Sequence, residues 1–304
     1  MERDVADASV VRQQHFECEG PIDVWVELDS GQLDITLEEA ADPGGVSVQI
    51  RADPTNRPPW SVGIAGLLTW LGEQTGAAPA GELAAEAVRR TLIDFSGKRL
   101  TVRSPRDVPL RTVPLIIQVS APPDSSITAR SGSADITVTG VAAGVDAATG
   151  SGQIRAQRCT GAAEVRTGSG DVRLGTVLGR LRARTGSGEV DVNSLEGTDG
   201  GSTVQTGSGD VRLGAVKHDL SARTGSGDVT VVDACAGGLE LTTGSGQLRV
   251  GIHPGVLAEL DVSSGSGWAR SDLPVGGAPV EGSVALRVRA RTGSGDALVT
   301  TAPS

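Results

Sequence analysis

The chain has 304 residues, a net charge of −10 and 43 glycines, set against four tryptophans, two phenylalanines and no tyrosine. That acidic balance offers no basic excess to neutralise phosphates, which argues against nucleic acid as a partner. No apolar run reaches the roughly eighteen residues of a membrane span, and the regular placement of Val, Leu, Ala and Ile excludes disorder.

Residues 1–19 form a tail with neither a basic start nor a continuous apolar stretch. No secretory signal is expected from it, so the predicted location is cytoplasmic, with a peripheral membrane contact left open. Residues 20–52 read as degenerate strand-bearing coils, in which Val24, Val26, Leu33 and Ile35 occupy apolar positions and Val46, Val48 and Ile50 continue the alternation. Residues 53–97 break this pattern. Trp60 to Leu71 is apolar with helical spacing, and Leu83, Ala87, Val88, Leu92 and Phe95 share one side of a second predicted helix over 80–95. This insert is expected either to cap the first coil or to meet a partner or membrane surface, with Trp60 and Trp70 as its anchors.

Residues 98–304 are dominated by one phrase, Arg-Thr-Gly-Ser-Gly-Asp-Val, which begins at Arg166. Its first glycine aligns as Gly132, Gly150, Gly168, Gly186, Gly207, Gly225, Gly244, Gly265 and Gly293, in steps of 18, 18, 18, 21, 18, 19, 21 and 28 residues. Three and five residues before that glycine, and four and six after it, nearly every copy is apolar, and the residues between are polar. Alternation of this kind is the two-residue period of a strand with one buried face. The prediction is an all-β, single-stranded parallel β-solenoid with coils of about 18 residues. Each coil supplies two short strands joined by a Gly-Ser-Gly corner, with the helical insert near the N-terminus. Glycine is expected at the corner for positive φ and for close backbone approach.

At the Thr-Gly-Ser-Gly-Asp-Val repeat the sequence resembles the bacterial "putative adhesin" domains of unknown function (DUF4097-like), well over about 98–300 and weakly over 20–50. The resemblance implies a β-solenoid with no established catalytic residues, in a family many of whose members are exported or tethered.

Asp135, Asp171, Glu189, Asp210, Asp228 and Asp296 share one column, which raises a calcium-binding reading. Gln153 and Gln247 interrupt it, and one carboxylate per coil supplies few of the six to eight oxygens that Ca²⁺ takes. A solvated ladder, balanced across the corner by Arg130, Arg166, Arg184, Arg223 and Arg291, is the expected role. Thr149, Thr167, Thr185, Thr206, Thr224, Thr243 and Thr292 form another column, expected to bond to one another. Cys18, Cys159 and Cys235 lack metal-ligand spacing and are expected as free thiols; His15, His218 and His253 are scattered. No catalytic residue, metal or cofactor is therefore expected. The expected function is a non-enzymatic scaffold presenting a polar face and loops to a protein or cell-envelope partner. Trp60, Trp70, Arg166, Arg184, Arg223 and Trp268 are the candidate contacts. A self-assembling, bactofilin-like structural protein is the alternative, and self-association is an open expectation.

Overall fold

The structure is a computed structural model that describes residues 10–38, 45–53, 80–197, 200–273 and 284–303. Trp60, Trp70 and the helix expected over 60–71 lie outside the described residues. The protein is an all-β solenoid whose strands form two stacked rows, one before each Gly-Ser-Gly corner and one after it.

The regular stack runs through β8 (Ser125–Ser131), β9 (Asp135–Thr149), β10 (Ile154–Cys159), β11 (Ala163–Thr167), β12 (Val172–Val177), β13 (Leu181–Arg184), β14 (Val190–Leu195), β15 (Ser202–Gln205), β16 (Val211–Val216), β17 (Leu220–Thr224), β18 (Val229–Ala234), β19 (Gly237–Thr243) and β20 (Leu248–Ile252). The first row stacks β8, the second half of β9, then β11, β13, β15, β17 and β19, all parallel. The second row stacks the first half of β9, then β10, β12, β14, β16, β18 and β20. Register places like with like: Val172 lies opposite Val190, which lies opposite Val211. The apolar columns point inward and form one continuous core, in which Ile154, Leu181 and Leu195 are fully buried.

The order of coils departs from the order of the chain at both ends. β2 (Asp23–Leu28) lies between β6 (Arg99–Arg103) and β8, and β3 (Gly31–Leu37) lies between β7 (Leu115–Ala121) and β9. The first coil of the sequence is thus inserted between two later ones. At the other end, β23 (Leu286–Thr292) and β24 (Ala297–Thr301) pair with β19 and β20 on one side. On their other side they pair with β21 (Ala258–Ser264) and β22 (Ala269–Ser271), which are outermost. A sequence period carries no information about this order.

Beyond β6 and β7 the pairing turns antiparallel. β5 (Leu92–Ser96) pairs with β6, β4 (Gly45–Ala52) with β7, and β1 (Val11–Glu17) with β4. Helix α1 (Ala80–Arg90) lies against β1, β4 and a 3₁₀ turn at Leu110–Thr112, burying Ala87 and Val88. The helix is shorter than expected. The Thr91 N–H and hydroxyl both bond to Ala87 O, at 3.1 and 2.8 Å, and the Arg12 guanidinium donates to the carbonyls of Arg89 and Thr91. These bonds satisfy the carbonyls of Ala87 and Arg89 in the last turn of the helix. From Leu92 the chain is a strand that leaves Leu92 exposed and turns Phe95 onto Phe16, ring centroids 5.2 Å apart.

The corner glycines are required by approach alone, because none of them has positive φ. A Cβ on Gly168 would stand 2.3 Å from Gly150 O, and one on Gly170 would stand 1.9 Å from Gly152 O. Successive corners stack so closely that no side chain fits between them.

Candidate functional site

The threonine column faces inward, and its bonds differ from the expected Thr-to-Thr contacts. Thr185 Oγ1 accepts the Gly188 N–H at 3.1 Å and donates to Gly170 O in the preceding coil at 3.2 Å. Thr149, Thr167, Thr224, Thr243 and Thr292 repeat both bonds. The hydroxyl thus closes its own corner and ties it to the previous one.

The acidic column is also structural. Asp135, Asp171, Asp210, Asp228 and Asp296 each accept, through Oδ1, the backbone N–H of the matching residue in the neighbouring coil. The arginines expected to balance this column pair elsewhere. Arg130 reaches Asp146, Arg166 reaches Glu164, Arg223 reaches Glu240 at 3.3 Å, and Arg291 reaches Asp261 at 3.2 Å. All these acids lie in the first row with the arginines, because the corner turns the acidic column onto the other row.

Parallel register brings together three of the predicted contact residues. Arg166 lies opposite Arg184, Arg184 opposite Gln205, and Gln205 opposite Arg223. With Thr167, Thr185, Thr206 and the corner glycines they line an open groove of about 550 Å³. Beside it, Arg182 lies between Glu164 and Thr203. Arg182 and Arg184 are exposed and have no ion-pair partner among the described residues. Arg166 and Arg184 come from adjacent strands about 4.8 Å apart, Arg223 follows beyond Gln205, and with Arg182 they form a cationic strip flanked by two carboxylates, Glu164 and Glu240. Planar, permanently charged guanidiniums suit carboxylate, sulfate and phosphate groups. Trp268 is not part of this strip. It is half exposed on the outermost coil, in the second row, with its backbone N–H donating to Asp296 Oδ1.

Two side-chain sets look superficially reactive. Ser202 is the polar exception in a core column, and its Oγ lies 2.7 Å from His218 Nε2 while accepting the Leu181 N–H at 3.0 Å. The serine is fully buried, so no substrate reaches it, and no side chain bonds to His218 Nδ1 to complete a triad. Burial pushes the His218 pKa down, only partly opposed by Asp219. Ser202 and His218 are therefore a buried polar pair filling a coil lengthened to 21 residues.

The second set corrects the expectation that no metal-ligand group assembles: Asp233, Cys235 and His253 converge on one turn. Metal-motif spacings along the chain missed them, although Cys235 and His253 are separated by 18 residues, the coil period itself. Asp233 accepts from both the thiol and the imidazole, so the histidine does not serve the thiol as a base. Cys159 is buried, and desolvation raises its pKa to about 11.

The sequence matches the Toastrack DUF4097 family over residues 98–300. The chain belongs to that family. No curated protein matches it. Among solved structures, a "putative adhesin" from Bacteroides fragilis NCTC 9343 is 10% identical, covers 96% of this chain and 97% of its own, and has a TM-score of 0.40. A "putative lipid binding protein" from Parabacteroides distasonis ATCC 8503 is 11% identical, covers 94% and 96%, and scores 0.42. A "putative adhesin" from Parabacteroides merdae ATCC 43184 is 11% identical, covers 95% of each chain, and scores 0.34. At such scores the overlap in space is partial, and the fold assignment rests on the strand register and the family match. No helix among the described residues is long and apolar enough to cross a membrane.

Proposed function

We propose that this Toastrack protein is a non-enzymatic, adhesin-like binding scaffold whose first-row groove receives an acidic segment of a protein or cell-envelope partner. The observation that carries the reading is the strip Arg166, Arg182, Arg184 and Arg223, with Arg182 and Arg184 exposed and unpaired among the described residues. Holding like charges in register costs electrostatic energy that a bound anion offsets. The solenoid keeps the backbone positions of these arginines at fixed spacing, so the ordering cost on binding is confined to their side chains.

The test uses the full, untagged chain with a labelled polyglutamate peptide and a sulfated polysaccharide, each titrated at low and at physiological salt. Saturable binding that weakens with salt, and that falls at least about tenfold in the Arg182→Glu/Arg184→Glu variant, is the expected result. Arg212→Glu, on the second row opposite Asp191, leaves binding unchanged. Equal binding by the double variant and the wild type refutes the reading. Capture of both probes or only one then separates general anion binding from carboxylate or sulfate preference.

End-on self-association is the second reading. β21 and β22 carry no outer strand among the described residues, and the opposite end is occupied by β1, β4, β5 and α1. At that end β1 and β5 each pair on one side only among the described residues, so a concentration-dependent dimer or larger assembly in sedimentation velocity supports it and a monomer throughout rejects it.

A further inference from the structure

A parallel solenoid makes neighbours of residues one period apart, and at one turn this joins three different metal-binding donor types. β18 and β20 are registered with Ala234 opposite Ile252. The His253 N–H donates to Ala234 O at 3.0 Å, and the Cys235 N–H to Val216 O at 2.8 Å. Cys235 and His253 therefore follow one another in the same column, and Asp233 stands beside them, two residues before the cysteine. The carboxylate faces both. Its oxygens lie 2.9 and 3.1 Å from His253 Nδ1, and Oδ2 lies 3.5 Å from Cys235 Sγ. One ligand atom from each residue falls within 4.8 Å of the other two.

We propose that Asp233, Cys235 and His253 form a binding site for a zinc-class divalent cation. Tetrahedral zinc holds sulfur at about 2.3 Å and nitrogen or oxygen at about 2.0–2.2 Å, which sets the donors roughly 3.3–3.7 Å apart. Asp233 already lies near that spacing from both partners, at 2.9 and 3.5 Å, and all three donors lie within 4.8 Å of one another. A thiolate, an imidazole and a carboxylate form a borderline-soft set suited to zinc, cobalt or nickel, whereas calcium and magnesium prefer oxygen alone. On binding, the thiol proton passes to solvent, the His253 proton leaves Nδ1 while solvent protonates Nε2, and the Nδ1–Asp233 hydrogen bond gives way to two ligand bonds. The side chain of His253 is 50% exposed and that of Asp233 28%, so a fourth position opens to water.

The neighbouring charges do not block the site. Lys217 precedes Cys235 in the column, but its ammonium is 3.3 Å from Glu196, which offsets it. Both strands behind the turn are rigid: Ala234 and Ile252 are buried, and the Ala302 N–H fixes Ile252 O at 2.8 Å. The backbone that carries the donors is thus anchored to the core.

The test uses the full, untagged chain, treated with chelator and kept reduced, then titrated with Co²⁺ by absorption and challenged with Zn²⁺. One equivalent of cobalt is expected to bind, with a thiolate-to-cobalt charge-transfer band and visible d–d bands, both removed by zinc. Cys235→Ser abolishes the charge-transfer band. His253→Gln and Asp233→Asn each weaken binding by at least about tenfold, the lower end of losses seen around metal sites. Cys18→Ser and His15→Gln change nothing, and circular dichroism verifies that every variant is folded. A wild type without a saturable thiolate band overturns the proposal by itself. So does a band that persists in Cys235→Ser, or cobalt affinity unchanged in His253→Gln.

Discussion

Thr185→Val tests the corner staple, because valine keeps the volume and β-branching of threonine and removes only the hydroxyl. Thr185 is 4% exposed, so water cannot replace what is lost. The Gly188 N–H and the Gly170 carbonyl both lose a partner at this corner. Two net hydrogen bonds of about 1 kcal/mol each, with up to about 2 kcal/mol more for desolvation of the stranded donor, give a loss of roughly 2–4 kcal/mol. In a chain somewhat larger than 150–250 residues, each kcal/mol moves Tm by about 2–4 °C or slightly less, so a fall of roughly 5–12 °C is expected. Urea unfolding measured by circular dichroism should show a lower midpoint at unchanged slope. Thr185→Ser restores the hydroxyl and recovers most of the stability. Thr230→Val, on the outward face of β18, stays within about 0.5 kcal/mol of the wild type. If Thr185→Val and Thr230→Val are equally stable, the inward staple does not hold the corner and the reasoning fails.

Gly170→Ala puts a Cβ 1.9 Å from a backbone oxygen that no rotamer change can move. It should cost more than about 4 kcal/mol or prevent soluble accumulation. Gly81→Ala in α1, with nothing within 4 Å of the new Cβ, should be neutral or stabilising by up to about 1 kcal/mol; similar outcomes for the two would refute the packing argument. Burial lowers the His218 pKa in the folded state, so the unfolded chain binds its proton first as pH falls. His218 costs no stability above about pH 6.5, and below it stability declines by at most about 1.4 kcal/mol per pH unit until the folded pKa is passed. Subtracting the stability–pH curve of His218→Gln from that of the wild type isolates this decline, and a flat difference from pH 7 to 5 refutes it.

The columns were legible in the sequence because stacking gives equivalent positions equivalent surroundings. Val172, Val190 and Val211 must all fit the same narrow core. Legibility failed where one residue pattern served two structures. Leu83, Ala87, Leu92 and Phe95 continue a helical spacing, yet Ile93 and Phe95 also alternate as a strand, and pairing with β6 decided between them. The threonines and acids were visible as ladders, but which row each faced depends on where the corner turns. The Arg184 groove needed only lateral register, and the repeat supplies that. The Asp233–Cys235–His253 cluster needed the same register applied to singular residues. Read as linear spacings, 2 and 18 match no metal motif; read as one coil, 18 is adjacency.

The order of coils is a different kind of information, and it bears on how the protein stays rigid. In a sequentially wound solenoid the terminal coil has one neighbour and frays first. Here the C-terminal coil, β23 and β24, has a parallel partner on both sides in both rows. Leu286, Val288 and Val299 are consequently as buried as residues in the middle of the stack. Releasing this coil means opening two interfaces instead of one, and the outermost coil cannot keep its place while that happens. The first coil, β2 and β3, is held in the same way, with Trp25 further covered by the Arg103 guanidinium at 4.3 Å. Both surfaces assigned a role above depend on fixed spacing between coils. The arginine strip spans β11 to β17, and the Cys235–His253 turn borders the inserted coil, where β24 pairs along β20 up to Ile252. Packing buried Ala302 beside this turn, with its N–H on Ile252 O, keeps the turn from opening with the end of the stack.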